Sequence, residues 1–331
     1  MAVKNLVTGA AGFIGAHVTR DLLRKGEEVV ALDDLSGGFR DNLPAEAQFV
    51  EGSILDVELV NSLFEKHRFD HVFHIAAYAA EGLSHFIKRF NYTNNVVGSV
   101  NLINASVNYE VKCFVFTSSI AVYGSAQLPM TEDITPHPED SYGIAKYAVE
   151  QELKVSSEMF GLNYIVFRPH NVYGEYQNIG DRYRNVIGIF MNQIMRDEPL
   201  TIFGDGTQTR AFSYIGGLSE TIASSPHNER AYGEVFNIGA DKAYSVNDLV
   251  DFISSAFGVK AKKRYLDARN EVLHAYSSHE KLREFFPPAQ ECGIEEGIGR
   301  MAKWAKAKGP RKSSEFGDIE IRKNLPPLWA E

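Results

Sequence analysis

The sequence predicts a doubly wound α/β fold, a parallel sheet (Rossmann type) with helices on both faces, followed by a smaller C-terminal lobe. Three observations carry this. Short apolar runs alternate with helix-period segments through the first half of the chain. A glycine-spaced turn joins the first run to the first helix. After Pro169 the texture changes to polar, aromatic loops and shorter pieces.

The runs at 5–8 (NLVT), 28–32 (EVVAL), 71–75 (HVFHI), 113–117 (CFVFT) and 163–167 (NYIVF) are short and continuously apolar, as strands buried on both faces must be. The first helix is expected over 13–25, with Ile14, Val18, Leu22 and Leu23 on one face and Gly26 as its stop. Further helices are expected over 57–67, 94–108 and 142–160, the last capped from the stretch PHPEDS. Beyond 170 come the polar loop 174–185 (GEYQNIGDRYRN), a helix near 186–197 and the turn 203–207 (FGDGT). No repeat or low-complexity linker interrupts the chain, so the lobes should pack closely. We divide the chain into a dinucleotide-binding domain over 1–170 and a lobe over 171–331, some of whose segments return to the first domain. The tail (IEIRKNLPPLW) is proline-rich and expected on the surface.

Composition narrows the function. Of 331 residues 44% are hydrophobic and 23% charged, which suits a folded globular protein. With 34 basic and 43 acidic residues the net charge is −9, which argues against a general nucleic-acid binder. No run approaches about 18 apolar residues, so no membrane span is expected. The glycines of MAVKNLVTGAAGFIG argue against a secretory leader. Cys113 lies in a buried-strand pattern far from Cys292, which argues against a disulfide and for a reducing, cytoplasmic compartment. The ten histidines show no HExxH spacing and there is no paired CxxC, so no metal site is expected.

Gly9, Gly12 and Gly15 directly follow the first strand and open the first helix. Gly9 permits the tight turn, Gly12 lets backbone approach a pyrophosphate, and Gly15 lets helix and strand touch. The helix start offers unpaired N–H groups to phosphate. Asp33, 18 residues after Gly15, stands where a ribose-binding acid is expected, and its charge repels a 2′-phosphate. The nearest downstream arginine is Arg40, so NAD is favoured over NADP. The plainer alternative is that Asp33 or Asp34 only caps a turn.

Tyr142 and Lys146 are spaced i, i+4 near a helix start, so they share a face. A nearby cation stabilises a phenolate, which makes a tyrosine usable as a base. A surface tyrosine beside a lysine would look the same. Ser118 and Ser119, however, end the run CFVFT at the sheet edge where ligands of such folds bind.

With these residues in view the chain resembles the extended short-chain dehydrogenase/reductase superfamily, and within it the NAD-dependent sugar-nucleotide epimerase/dehydratase family. The matching segments, in order, are TGAAGFIG (8–15), LDDLSGG (32–38), HIAA (74–77), SSIAVYG (118–124), YGIAK (142–146), RPHNVYG (168–174) and FGDGTQTRAFSYI (203–215). The resemblance implies that Ser119, Tyr142 and Lys146 are catalytic. It implies that Gly9, Gly12, Phe13, Ile14, Gly15, Asp33, Ser53, Ile54, Ala76 and Asn95 line the NAD site with Tyr142 and Lys146. It places Asn171, Arg210 and Arg269 on the diphosphate of a nucleotide sugar, which also meets Ser119. Arginine forks suit a diphosphate. A homodimer is implied as well.

Departures from the family pattern are Gly52-Ser53-Ile54 for Gly-Asp-Ile, Gly216-Gly217 for Asp-Asp, and YAAEGLS after HIAA without a basic residue. Family dehydratases carry an Asp-Glu pair after the active-site Ser/Thr, and decarboxylases keep a glutamate there. Here Ile120 and Ala121 can donate no proton. The implied reaction is therefore C4 epimerisation of a UDP-hexose or UDP-hexuronic acid. Two other readings stand beside it: a net NAD-dependent dehydrogenase, and a non-catalytic scaffold binding NAD or RNA. The scaffold's only support is KAKKR at 260–264, which also reads as a solvated strand or loop. The loop 174–185 is expected to close over the sugar through Glu175, Tyr176, Gln177, Asn178 and Arg182.

Overall fold

The computed structural model describes residues 2–268, 274–288, 292–312, 316–317, 319–326 and 329. The first body runs β1 (Lys4–Thr8), α1 (Phe13–Arg24), β2 (Glu28–Asp33), β3 (Gln48–Glu51), α2 (Val57–His67), β4 (His71–His74), α3 (Gly98–Asn108), β5 (Cys113–Thr117), α4 (Ser141–Phe160) and β6 (Tyr164–Pro169). Later come α5 (Val186–Met195), α6 (Ile215–Ser224), β7 (Glu234–Ile238), α7 (Val246–Phe257) and α8 (Ile294–Lys308).

The main sheet has the order β7-β6-β5-β4-β1-β2-β3, with every neighbouring pair parallel. The winding reverses between β1 and β4, where Thr8 pairs with His74. Ligands of such sheets sit outside the strand ends at that reversal. Strand alternation divides the core. Val7, Phe73, Val115 and Phe167 pack beneath α1 and α6 with Val18, Leu22 and Ile222. Leu6, Val72, Phe114 and Val166 pack on the other face with Phe64, Leu102 and Leu153. Cys113 and Cys292 are free thiols, Cys113 fully buried.

Sequence and structure part at 94–108. A π turn over Thr93–Val97 precedes α3, so the helix face turns before its regular part begins. The short helices Glu81–Ser84 and Lys88–Tyr92 were not expected from the sequence.

The second lobe has its own core, in which Phe190, Met191, Leu249, Ile253, Ile298 and Met301 meet. A cut at 170 nevertheless divides the chain, not the mass. β7 pairs with β6, α6 packs on α1, and the Phe286 ring meets Phe167 at a tilt and Phe236 edge-on. The described tail residues 319–326 and 329 are exposed or half-buried at the surface, as expected, but tied down. Phe316, Ile319 and Trp329 pack with Ala80, Leu83 and Ile87, and Glu320 accepts the Arg89 and Phe90 N–H groups. In the basic stretch 260–264, Lys263–Leu266 is an edge strand beside Leu200–Phe203, its lysines and arginine exposed. No described helix is long and apolar enough to cross a membrane.

Candidate functional site

A cavity of about 1330 Å³ lies between the two lobes at the carboxyl ends of the strands. It exceeds the roughly 300–1,000 Å³ of a typical small-ligand pocket, as two nucleotide-sized ligands would require.

The nucleotide end is built from backbone. Gly9 has φ +64°, and a Cβ there would stand 2.7 Å from the backbone of Ala76. A Cβ on Gly15 would stand 2.1 Å from the Gly9 carbonyl, so strand and helix can meet only at glycine. α1 begins at Gly12 with no side-chain cap and no acid in its first turn, which leaves its N–H groups open to an anion. Asp33 is buried. Its Oδ2 accepts the Ala11 N–H at 2.9 Å and its Oδ1 the Leu35 N–H at 2.7 Å. Burial raises its pKa, and those two N–H groups oppose the rise. A carboxylate has lone pairs left after two such bonds, so it can also accept from a ribose. These features fit a bound dinucleotide.

The chemical end is built from buried side chains. Asp140 caps α4 on the Gly143 N–H and thereby sets Tyr142 and Lys146 on its first turns. Ser119 caps the short turn Ile120–Tyr123, its Oγ accepting the Ala121 N–H at 3.1 Å. Lys146 Nζ donates to the Thr117 carbonyl at 2.7 Å and lies 5.7 Å from the Tyr142 ring centroid. Burial pulls the Lys146 ammonium down to about 7, with Glu150 opposing. Burial pushes the Tyr142 phenol up, aided by Glu81 and opposed by the Ser119 hydrogen bond. Lys146 is hydrogen-bonded to the Thr117 carbonyl rather than to the phenol, and burial sets the direction of the Tyr142 shift.

Beneath this trio lies a buried ion pair. Glu150 takes Arg168 Nε at 3.0 Å and Nη2 at 2.5 Å and also accepts from Ser118 Oγ. Arg168 Nη1 donates to the Tyr123 hydroxyl, which donates to Asn237 of β7. The pair ties α4 to β6 and the returning strand.

Gly9, Gly12, Phe13, Ile14, Gly15, Asp33, Ile54 and Ala76 all line the cavity, as do Ser119, Tyr142, Lys146, Asn171 and Arg210. Two expected residues do not. Asn95 turns inward, its Oδ1 on the Tyr78 N–H and its Nδ2 on Asn91, and Asn94 lines the cavity instead. The π turn at 93–97 sets that rotation. Ser53 lies outside the lining, between Gly52 and Ile54, its Oγ accepting from the Leu55 N–H. Arg269 lies outside the described residues.

Loop 174–185 reaches further than its sequence suggests. Gln177, Asn178 and Arg182 line the cavity. Glu175 and Tyr176 instead grip the first body. His17 Nε2 donates to the Glu175 carbonyl at 3.0 Å, and Asn42 Nδ2 donates to the Tyr176 carbonyl at 3.1 Å. The Arg20 guanidinium lies 4.1 Å from the Tyr176 ring centroid. Arg184 and Trp329 also line the cavity and were not anticipated. A single arginine in a polar loop, or a tryptophan in a proline-rich tail, carries no periodic signal.

Comparison with known proteins agrees with this geometry. Residues 5–239 match the model of the NAD dependent epimerase/dehydratase family. A UDP-glucuronate 4-epimerase of Thermodesulfobacterium geofontis is 30% identical over 91% of this chain and 95% of its own. The UDP-glucose 4-epimerase of Thermotoga maritima, solved with UDP-glucose, superposes with a TM-score of 0.88 at 34% identity, over 92% of this chain and 99% of its own. The UDP-glucuronic acid 4-epimerase of Bacillus cereus, solved with UDP-glucuronic acid and NAD, superposes with a TM-score of 0.85 at 28% identity, over 92% and 100%.

Proposed function

The chain belongs to the NAD dependent epimerase/dehydratase family, and on that premise we propose that it epimerises a nucleotide sugar at C4, a UDP-hexose or UDP-hexuronic acid, through a transient 4-keto sugar. The observation that carries this reading is the meeting of Ser119, Tyr142 and Lys146 in one cavity beside apolar Ile120 and Ala121.

Tyr142 takes the proton of the sugar 4-hydroxyl and returns it to the opposite epimer. Ser119 holds that hydroxyl and hydrogen-bonds the phenol. Lys146, fixed on the Thr117 carbonyl, brings a cation near the ring. Gly9–Gly15 and Asp33 would hold NAD, which when bound would supply a hydride acceptor and a pyridinium charge that favours the phenolate. Asn171 and Arg210 bind the sugar's diphosphate. Ile120 and Ala121 offer no acid to a leaving hydroxyl, so the keto sugar keeps its water.

The protein works as a homodimer in the cytoplasm. The dimer reading is supported by exposed apolar residues on one side of α4, Ile144, Val155 and Met159, with Val97 at the end of the neighbouring π turn. The compartment reading is supported by the two free thiols.

The test is incubation of purified protein with UDP-glucose or UDP-glucuronic acid, followed by chromatography with mass detection. The 4-epimer should form without added nicotinamide and without stoichiometric NADH release. A product lighter by one water defeats the reading. Sustained NADH accumulation moves it to a net dehydrogenase.

A further inference from the structure

Arg184 is a buried-side cation with donors to spare. Its side chain is 21% exposed, and its Nε lies 2.9 Å from Asp181 Oδ2, off the line of a hydrogen bond. A guanidinium has five N–H donors, and no described residue accepts a hydrogen bond from this one. Of these donors only Nε is buried without a hydrogen-bond partner, and the half-buried side chain lines the cavity. Its fork is therefore placed to meet an acceptor that enters the cavity.

Position says which acceptor. The guanidinium lies 5.4 Å from the Tyr78 ring centroid. Its Nη2 is 2.9 Å from where a Cβ on Gly37 would stand. Gly37 follows Asp33 by four residues, at the ribose end of the nucleotide site. At the other end, the Arg184 charge acts on the Tyr142 phenol. Between a ribose at Asp33 and a nicotinamide at Tyr142, a dinucleotide carries its two phosphates. The glycine turn offers those phosphates only N–H groups and a helix dipole. The loop that bears Arg184 is meanwhile pinned to the first body through His17, Asn42 and Arg20. That body holds the nucleotide site.

We propose that Arg184 is a ligand of the cofactor's pyrophosphate, and that loop 174–185 is a strap that keeps the dinucleotide bound between the two half-reactions. This rests on the NAD-dependent reading above. It gives an epimerase what it needs, since a reduced cofactor that leaves strands the keto sugar.

The test measures retention, not turnover. Wild-type protein, Arg184→Met and Arg184→Lys are purified with their own nucleotide, and NADH loss after reduction is followed by fluorescence. Arg184→Met should lose NADH about 10- to 100-fold faster, the effect of one charged hydrogen bond. Arg184→Lys, which keeps the charge but not the fork, should fall between. Calorimetry on stripped protein should show ADP-ribose weakened by the same factor, with adenosine and UDP unchanged. Unchanged retention in Arg184→Met overturns the proposal. So does equal weakening of adenosine, which means distortion, or weakening of UDP alone, which moves Arg184 to the sugar nucleotide. A wild type that binds neither NAD nor ADP-ribose overturns the cofactor reading itself, and this proposal with it.

Discussion

The two ends of the cleft are built from different materials. At the nucleotide end, shape comes from backbone: Gly9 and Gly15 stand where a Cβ would meet a main-chain atom within 2.7 and 2.1 Å. At the chemical end it comes from buried polar side chains, with Lys146 on a carbonyl and Glu150 between Arg168 and Ser118. Backbone sites fail by steric exclusion and tolerate few substitutions. Side-chain sites fail by charge and can fail gradually. The difference yields a ranked set of expectations.

Gly15→Ala should do the most damage. Its Cβ would overlap the Gly9 carbonyl, and neither β1 nor α1 can retreat. Purified protein should carry no nicotinamide nucleotide, and normal nucleotide content would show that the turn is softer than backbone packing implies. Glu150→Gln comes next. It leaves the Arg168 guanidinium buried and unpaired, at a cost of about 3 kcal/mol. Denaturant unfolding measures this, and an unchanged midpoint would mean that the pair is replaceable. Tyr142→Phe keeps the ring and removes the hydroxyl. Turnover should fall at least about 10²-fold with the nucleotide still bound, and near-normal turnover removes Tyr142 from the mechanism.

Asp33→Ala should act on selectivity, beside some loss of NAD affinity from the missing ribose contact. Loss of its charge should relax discrimination against NADP about tenfold, read by titrating both nucleotides. A wild type that prefers NADP would contradict the assignment. The smallest effect concerns His74, held between Thr8 Oγ1 and Ser99 Oγ beneath the site. Burial lowers its pKa to about 3 from the ordinary 6.5. Between those values the unfolded chain binds a proton that the native state refuses, so stability falls as pH drops below about 6.5. The slope is at most about 1.4 kcal/mol per pH unit. His74→Asn should flatten that part of the stability curve, and an unaltered slope would assign the acid sensitivity to other groups.

Legibility in the sequence followed the same division. The glycine turn announces itself by spacing, and the strands by apolar runs, because backbone packing constrains residue type at fixed intervals. The run 113–117 matched its strand to the residue. Where loops build the site, spacing says little. Asn95 was expected at the cofactor and is instead turned into the core by a π turn that no local pattern marks. Arg182 and Arg184 are two residues apart in one polar loop, and only Arg184 reaches the wall beside Gly37. Trp329 reaches the cleft by packing on Gly82 and Phe86, far away in sequence.

The last strand of the sheet carries a consequence for how the protein is made. β7 begins 65 residues after β6 ends. At about 5–20 residues per second on a ribosome, that delay is about 3 to 13 s. Throughout it the backbone of Ile165, Val166 and Phe167 is an open, apolar parallel edge, the kind that recruits other strands. The nascent chain is therefore most vulnerable after its nucleotide domain has been synthesised. It should be shielded by a chaperone in that interval, and any fragment ending near residue 170 should aggregate.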